Sequence, residues 1–335
     1  MTIKDLAKIS GYSLGTVSRA LNHQPNVSPK AREHILALAQ QYGFEINANA
    51  QSLKRQNSDA LLVIVKGRAN ELFFQMVEAT QELAAAEQQP LMVDYIDEDD
   101  NEVRRAMKLY REKKPLGILF FGGTTQNFLA DYENLSLPTV LVTNSAKGLP
   151  FEGLSSVTTD DAAAAETVCS VLIRNGHREI AVIGGDLDSS EISRNRLSGC
   201  QVALSGTGAR VACYRTARFS FEGGYQAMEK ILANRGNITA VFAMADLMAL
   251  GAMRCIHDHG LRVPEDISVA GFDGLPYGQY FIPRLTTVAQ STGALAQTSY
   301  RVLQDAISSG KTCHVSVPFS LCPGSSVGPI PRRQR

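Results

Sequence analysis

The sequence predicts a small all-α head followed by a larger α/β body of parallel, doubly wound sheets in two lobes. Three observations carry that prediction. Its 335 residues, 44% of them apolar, are enough for about two domains. Near residue 60 the pattern changes from short capped helices to apolar strands alternating with amphipathic helices, the signature of parallel sheets covered on both faces. The formal charge of zero also hides an asymmetry. Residues 1–58 hold seven basic side chains against three acidic ones, a net of +4, so the remaining 277 carry −4.

In the head, residues 3–9 form a first helix, capped by Thr2 and stopped at Ser10 and Gly11. Ser13 caps a second over 14–21, and Ser28 before Pro29 opens a third that ends near Gly43. Short helices joined by a tight Gly-containing turn match a helix-turn-helix. Residues 46–58 then read as a linker. The stretch has no apolar face beyond Leu53 and is too short for a stable isolated helix, but it can become helical when held.

In the body, strands are predicted at 61–65, 91–95, 117–121, 139–143, 180–184, 210–214, 240–243 and 267–271. Helices fall at 71–88, 162–175, 222–234 and 247–259, and a last one at 292–308 follows a crossover at 286–290. Four strands on each side of residue 150 predict two similar lobes. The expected boundaries are 1–45 for the head, 46–58 for the linker and 59–335 for the body. Within the body, the N-lobe takes about 59–158 and 290–315, and the C-lobe about 159–289 and 316–335.

Composition and motifs remove several classes of function. No apolar run is long enough to span a membrane, and the N-terminus lacks a signal-peptide core, so a cytoplasmic protein is expected. The six cysteines contain no C-x-x-C pair and read as buried free thiols. No cofactor or metal motif occurs. Gly11-Tyr-Ser-Leu-Gly15 fits a serine-hydrolase elbow, but only ten helix-patterned residues precede it, so no strand or oxyanion loop can support it.

Two groups of residues point to binding instead. Gly15, Ser18, Arg19 and Asn22 recur at i, i+3, i+4 and i+7, a small polar face suited to a major groove, while Val17 and Leu21 turn the other way toward Leu6 and Ala7. Parallel sheets bind ligands beyond the carboxyl ends of their strands, which singles out Phe121, Thr143, Arg194, Arg196, Phe219 and Asp273. A carboxylate, a guanidinium and an aromatic face suit a polyhydroxylated ligand. The structural alternatives are a helix cap for Asp273, an Arg196 pair with Asp186 or Glu191, core positions for the aromatics, and a helix-end role for His177.

The motifs also resemble a family. Thr2-Ile-Lys-Asp-Leu-Ala, Gly11-Tyr-Ser and Thr16-Val-Ser-Arg-Ala-Leu-Asn22 are similar to the helix-turn-helix of the LacI/GalR transcriptional repressors. Gly176-His-Arg-Glu-Ile-Ala, Arg196-Leu-Ser-Gly199, Asp246-Leu-Met-Ala-Leu-Gly251, the segment from Val263 to Asp273 and the segment from Pro283 to Gln290 extend the resemblance over nearly the whole chain. It implies a periplasmic-binding-protein-like body, an operator-bound homodimer or dimer of dimers, and a small effector, a sugar or sugar phosphate with a nucleoside as the alternative. It places Leu14, Gly15, Thr16, Ser18, Arg19 and Asn22 on the DNA, with Ala50 and Leu53 on a hinge helix whose Leu53 wedges the minor groove. It further places Phe73, Phe74, Phe121, Thr143, Arg196, Phe219, Asp273 and Gln290 around the effector. The chain departs from the family at Tyr12, Gly15, Ile46, Ala245 and Pro323. A transporter's solute-binding protein is the competing reading, disfavoured by the basic head and the absent signal peptide.

Overall fold

The computed structural model describes residues 3–21, 25–42, 59–68 and 70–330. The chain divides into two compact units, Met1–Ser58 and Asp59–Arg335. In the first, α1 (Ile3–Ser10), α2 (Leu14–Leu21) and α3 (Pro29–Gln41) surround a core of Leu6, Val17, Ala20, Leu21, Ile35 and Ala39. Gly11 turns the chain between α1 and α2 at φ +72°, where a side chain would be strained. Ser28 caps α3 by accepting from the Ala31 amide at 3.3 Å.

The second unit begins with β1 (Leu61–Lys66), α4 (Glu71–Ala86), β2 (Leu91–Ile96), α5 (Glu102–Lys113), β3 (Gly117–Phe121), α6 (Thr125–Asp131), β4 (Thr139–Val142) and β5 (Leu154–Thr159). It continues through α7 (Asp161–Arg174), β6 (Glu179–Gly184), α8 (Glu191–Leu204), β7 (Arg210–Thr216), α9 (Phe221–Leu232), β8 (Ala240–Ala243), α10 (Asp246–Asp258), β9 (Ser268–Ala270) and α11 (Tyr277–Tyr280). The last elements are β10 (Thr287–Gln290), α12 (Thr292–Ser309), β11 (His314–Val317) and β12 (Phe319–Cys322).

The N-lobe sheet runs β11-β5-β4-β3-β1-β2 and the C-lobe sheet β7-β6-β8-β9, every pairing parallel. An antiparallel pair, β10-β12, continues beside β9 through the bridges Ala270 to Thr286 and Asp273 to Ala289. β1, β3, β4 and β8 are apolar along almost their whole length because helices cover both faces. Helix contacts in the C-lobe depend on missing side chains. A Cβ on Gly199 would lie 2.0 Å from the Ala162 carbonyl oxygen between α8 and α7, and one on Gly251 2.0 Å from that of Phe221 between α10 and α9.

The chain passes between lobes after β5, after β10 and after β11. The first lobe therefore holds more than four strands, because β5 and β11 join its sheet. The 286–290 segment, expected as a simple crossover, is itself a strand over Thr287–Gln290. His177 does serve the helix end through its amide, which donates to the Leu172 carbonyl at 3.2 Å, but its fully buried side chain has a separate role, linking Thr239 through Nδ1 at 2.9 Å to Ser268 and the Gly328 carbonyl through Nε2, both at 3.0 Å. Burial pushes its pKa down. Cys169, Cys200 and Cys255 are buried thiols, whereas Cys313 is exposed. No described helix is long and apolar enough to cross a membrane.

Candidate functional site

In the head unit, Ser13 caps α2 by accepting from the Thr16 amide at 3.2 Å, and its hydroxyl meets that of Thr16 at 2.9 Å. Its hydroxyl therefore serves a helix start. Val17, Ala20 and Leu21 are buried, which leaves Leu14, Gly15 and Arg19 exposed and Thr16 and Ser18 half-buried on the other side. Asn22, Ala50, Leu53 and the Ile46 departure lie outside the described residues. Tyr12 packs edge-on against His34, with ring centres 6.2 Å apart.

In the body unit, a cavity of about 620 Å³ opens between the lobes where the strands of both sheets end. Its wall includes Phe73, Thr143, Arg196, Phe219, Asp273 and Gln290, so the structure gathers six of the eight residues singled out for the effector. Two do not belong to this wall. Phe121 is fully buried in the N-lobe core behind Phe73, ring centres 6.3 Å apart, because β3 is covered on both faces. Phe74, one helix position from Phe73, turns outward, is 42% exposed and packs on Tyr95.

Arg196 organises the cavity floor from α8. It is 3% exposed, donates from Nε to Asp161 Oδ1 at 2.7 Å, lies 3.8 Å from Asp273 Oδ1, donates to the Met244 carbonyl, and stacks 3.6 Å over the Phe272 ring. Those partners replace the Asp186 or Glu191 pairing expected as its structural role. Arg194 stays exposed and braces its own loop through the Leu187 and Asp188 carbonyls.

Asp273 follows β9 at φ +119°, an unusual conformation for a residue with a side chain, and accepts from Gln290 Nε2 at 2.8 Å. Burial raises its carboxyl to about 6, against the lowering pull of Arg196. Thr143 directly follows β4 at φ +75°. Phe219 packs so closely on Gly185 that a Cβ there would lie 2.8 Å from its ring.

The wall also contains groups not singled out from the sequence. Lys66 binds Glu102 at 2.5 Å, and Arg218 binds Asp97, Glu98 and Asp99 across the mouth. The rule of strand carboxyl ends finds Lys66 at the end of β1 and Asp97 after β2 when applied to every strand. Asp246 is a buried brace outside the wall, accepting from Thr287 Oγ1 at 2.6 Å and the Leu275 amide at 2.7 Å, with its carboxyl pushed well up by burial. Ala245 before it is buried and offers α10 no side-chain cap.

A helix-turn-helix unit followed by a two-lobed body with a polar interlobe cavity defines a ligand-responsive DNA-binding regulator. Residues 2–47 match the family of bacterial regulatory proteins called lacI family, and residues 170–327 match the periplasmic binding protein-like domain. The HTH-type transcriptional regulator MalR of Clostridium butyricum is 31% identical over 96% of this chain and 97% of its own length. The transcriptional repressor PurR of Erwinia tasmaniensis is 30% identical over 92% and 91%. Among solved structures, a Lac repressor dimer bound to operator and the anti-inducer ONPF matches with a TM-score of 0.80 at 27% identity, covering 98% of this chain and 99% of that one. A complex of the regulator CelR with cellobiose matches with a TM-score of 0.72 at 25% identity over 97% and 99%. The chain belongs to the LacI family of transcriptional repressors, with a DNA-binding head and an effector-binding body.

Proposed function

We propose that the exposed side of α2 reads operator DNA and that the interlobe cavity holds the effector that sets operator affinity. Leu14, Gly15, Thr16, Ser18 and Arg19, with Asn22, contact the major groove; Arg19 clamps a guanine or a phosphate. Ala50 and Leu53 serve the minor groove, as the family resemblance implies. The observation that carries the effector reading is the buried Arg196–Asp273–Gln290 arrangement at the cavity floor, where fixed donors and acceptors face a space large enough for a small polyhydroxylated molecule. Phe219 and Phe73 supply flat apolar walls for its less polar faces. The same aromatic walls keep a nucleoside as the second reading.

The protein acts as a homodimer whose two heads bind a pseudo-palindromic site, and it binds its effector without chemical turnover. Thermal shift with a panel of sugars and nucleosides tests the cavity. A ligand that stabilises the wild type loses its shift in Asp273→Asn, which keeps the side-chain shape and removes the charge. A shift that persists unchanged in this variant places the effector elsewhere.

A further inference from the structure

Three of the cavity's cations are already spent on carboxylates of the chain. Four cations stand on its wall, Lys66, Arg68, Arg196 and Arg218, beside five carboxylates, Asp97, Glu98, Asp99, Asp186 and Asp273. Arg196 is held by Asp161 and Asp273, and Arg218 by three consecutive carboxylates, while Arg68 is exposed and makes no ion pair among the described residues.

Lys66 is the most telling. Its Nζ lies 2.5 Å from Glu102 Oε2 and donates to the Asp100 carbonyl at 2.7 Å. Glu102 is fully buried and accepts from three donors: Lys66, the Thr124 amide at 2.6 Å, and Asn127 Nδ2 at 3.0 Å. Lys66 and Thr124 are both on the cavity wall. The donors that would grip an incoming phosphate or carboxylate in the N-lobe thus hold a carboxylate of the chain itself. Elsewhere on the wall, Asn70, Ser190 and Ser220 close the amides of the helices they start.

We infer that the effector is an uncharged polyhydroxylated molecule, a neutral sugar, and that Glu102, by occupying the Lys66–Thr124–Asn127 donors, together with the Asp97–Glu98–Asp99 row, excludes phosphorylated and carboxylated sugars. This rests on the reading of the cavity as the effector site. Even with Arg68 counted, five wall carboxylates face four cations, so a further anion meets a like-charge penalty, whereas hydroxyls use carboxylates as acceptors at no such cost.

The test has two arms. In the first, the wild-type protein is melted with neutral aldoses and disaccharides and with their phosphates and uronates. A neutral sugar raises the melting temperature, and its anionic counterpart binds at least about tenfold more weakly. An anionic sugar that binds as tightly as its neutral form, with the shift lost in Asp273→Asn, overturns the inference and leaves the cavity reading intact. A neutral-sugar shift that survives Asp273→Asn overturns the cavity reading instead.

The second arm needs no effector. Millimolar sodium phosphate, compared with sodium chloride at equal ionic strength, leaves the wild type unchanged and stabilises Glu102→Ala in a saturable way. That gain disappears in Lys66→Ala/Glu102→Ala. Wild-type binding of inorganic phosphate that requires Lys66 overturns the inference, as does a folded Glu102→Ala protein indifferent to phosphate. Should Glu102→Ala fail to fold, the wild-type phosphate titration and its loss or persistence in Lys66→Ala decide the question.

Discussion

Replacing Arg196 by Ala tests the electrostatics of the cavity floor. The guanidinium sits between two buried carboxylates, Asp161 at 2.7 Å and Asp273 at 3.8 Å, and covers the face of Phe272. Breaking a buried ion pair by removing one partner costs about 3–5 kcal/mol, because a desolvated charge is left without its partner. In a body of this size that lowers the melting temperature by roughly 10 °C. The loss depends on pH with a definite sign. Asp161 and Asp273 both have carboxyls raised by burial, so acidification protonates them in the variant and removes the unpaired charge. The deficit should therefore be largest near neutral pH and shrink toward pH ~5.

A double-mutant cycle with Asp161→Asn separates charge from packing. Arg196→Ala should cost about 1–3 kcal/mol less in that background, the remainder being the lost contact with Phe272. Arg194→Ala, at an exposed residue of the same helix, should stay within about 1 kcal/mol of wild type. Differential scanning calorimetry across pH measures all of these. An Arg196→Ala protein as stable as the Arg194→Ala protein at pH 7 would show that the guanidinium does not neutralise the buried carboxylates.

Three further outcomes are expected. Arg19→Ala should weaken operator binding by about 1–3 kcal/mol in a gel-shift titration and leave the melting temperature unchanged, since the side chain is exposed. Asp273, raised to about 6 in the folded protein, binds its proton more tightly there than in the unfolded chain, so its share of stability falls as pH rises from about 4 through 6. Asp273→Asn should flatten that part of the stability profile by on the order of 2–3 kcal/mol, read from urea titrations at each pH. Gly251→Ala, whose Cβ would meet the Phe221 carbonyl oxygen at 2.0 Å, should cost more than about 2 kcal/mol, whereas Gly293→Ala, with nothing within 4 Å, should be neutral or slightly stabilising in the same melts.

The elements legible in the sequence were those whose local signals and packing agree. α2 spans Leu14–Leu21 as its Ser13 cap and apolar spacing predict, and β3 and β8 match their apolar runs residue for residue. β5 was not legible because Leu-Ser-Ser-Val-Thr-Thr carries polar side chains where a buried strand is normally apolar. Ser155 and Ser156 are nonetheless buried, their hydroxyls bonding the Cys313 amide and His314 Nδ1 on the neighbouring chain segment. β11 and β12 are four residues each, and their pairings reach back more than a hundred and about thirty positions, beyond any local pattern.

At the cavity, strand ends pointed to Arg196 and Asp273 because a parallel sheet places such residues together whatever lies between them in sequence. The Asp161 partner of Arg196 was not legible, since it arrives from a different crossover. Phe121 and Phe74 show the limit of the same rule. A strand's last residue can face the cavity or the core, and neighbouring helix positions point about 100° apart, so an aromatic near the site is decided by rotation rather than by sequence position.

In the proposed function, one small molecule held between the lobes changes how tightly the head binds DNA. Fluorescence anisotropy of a selected operator duplex, titrated with the wild type and with Asp273→Asn in the presence and absence of the stabilising sugar, measures this directly. A wild-type affinity change of about 5- to 150-fold is expected, abolished in Asp273→Asn while sugar-free operator binding is retained. Equal affinity for operator and random duplex, or an effector response undiminished by Asp273→Asn, would contradict it.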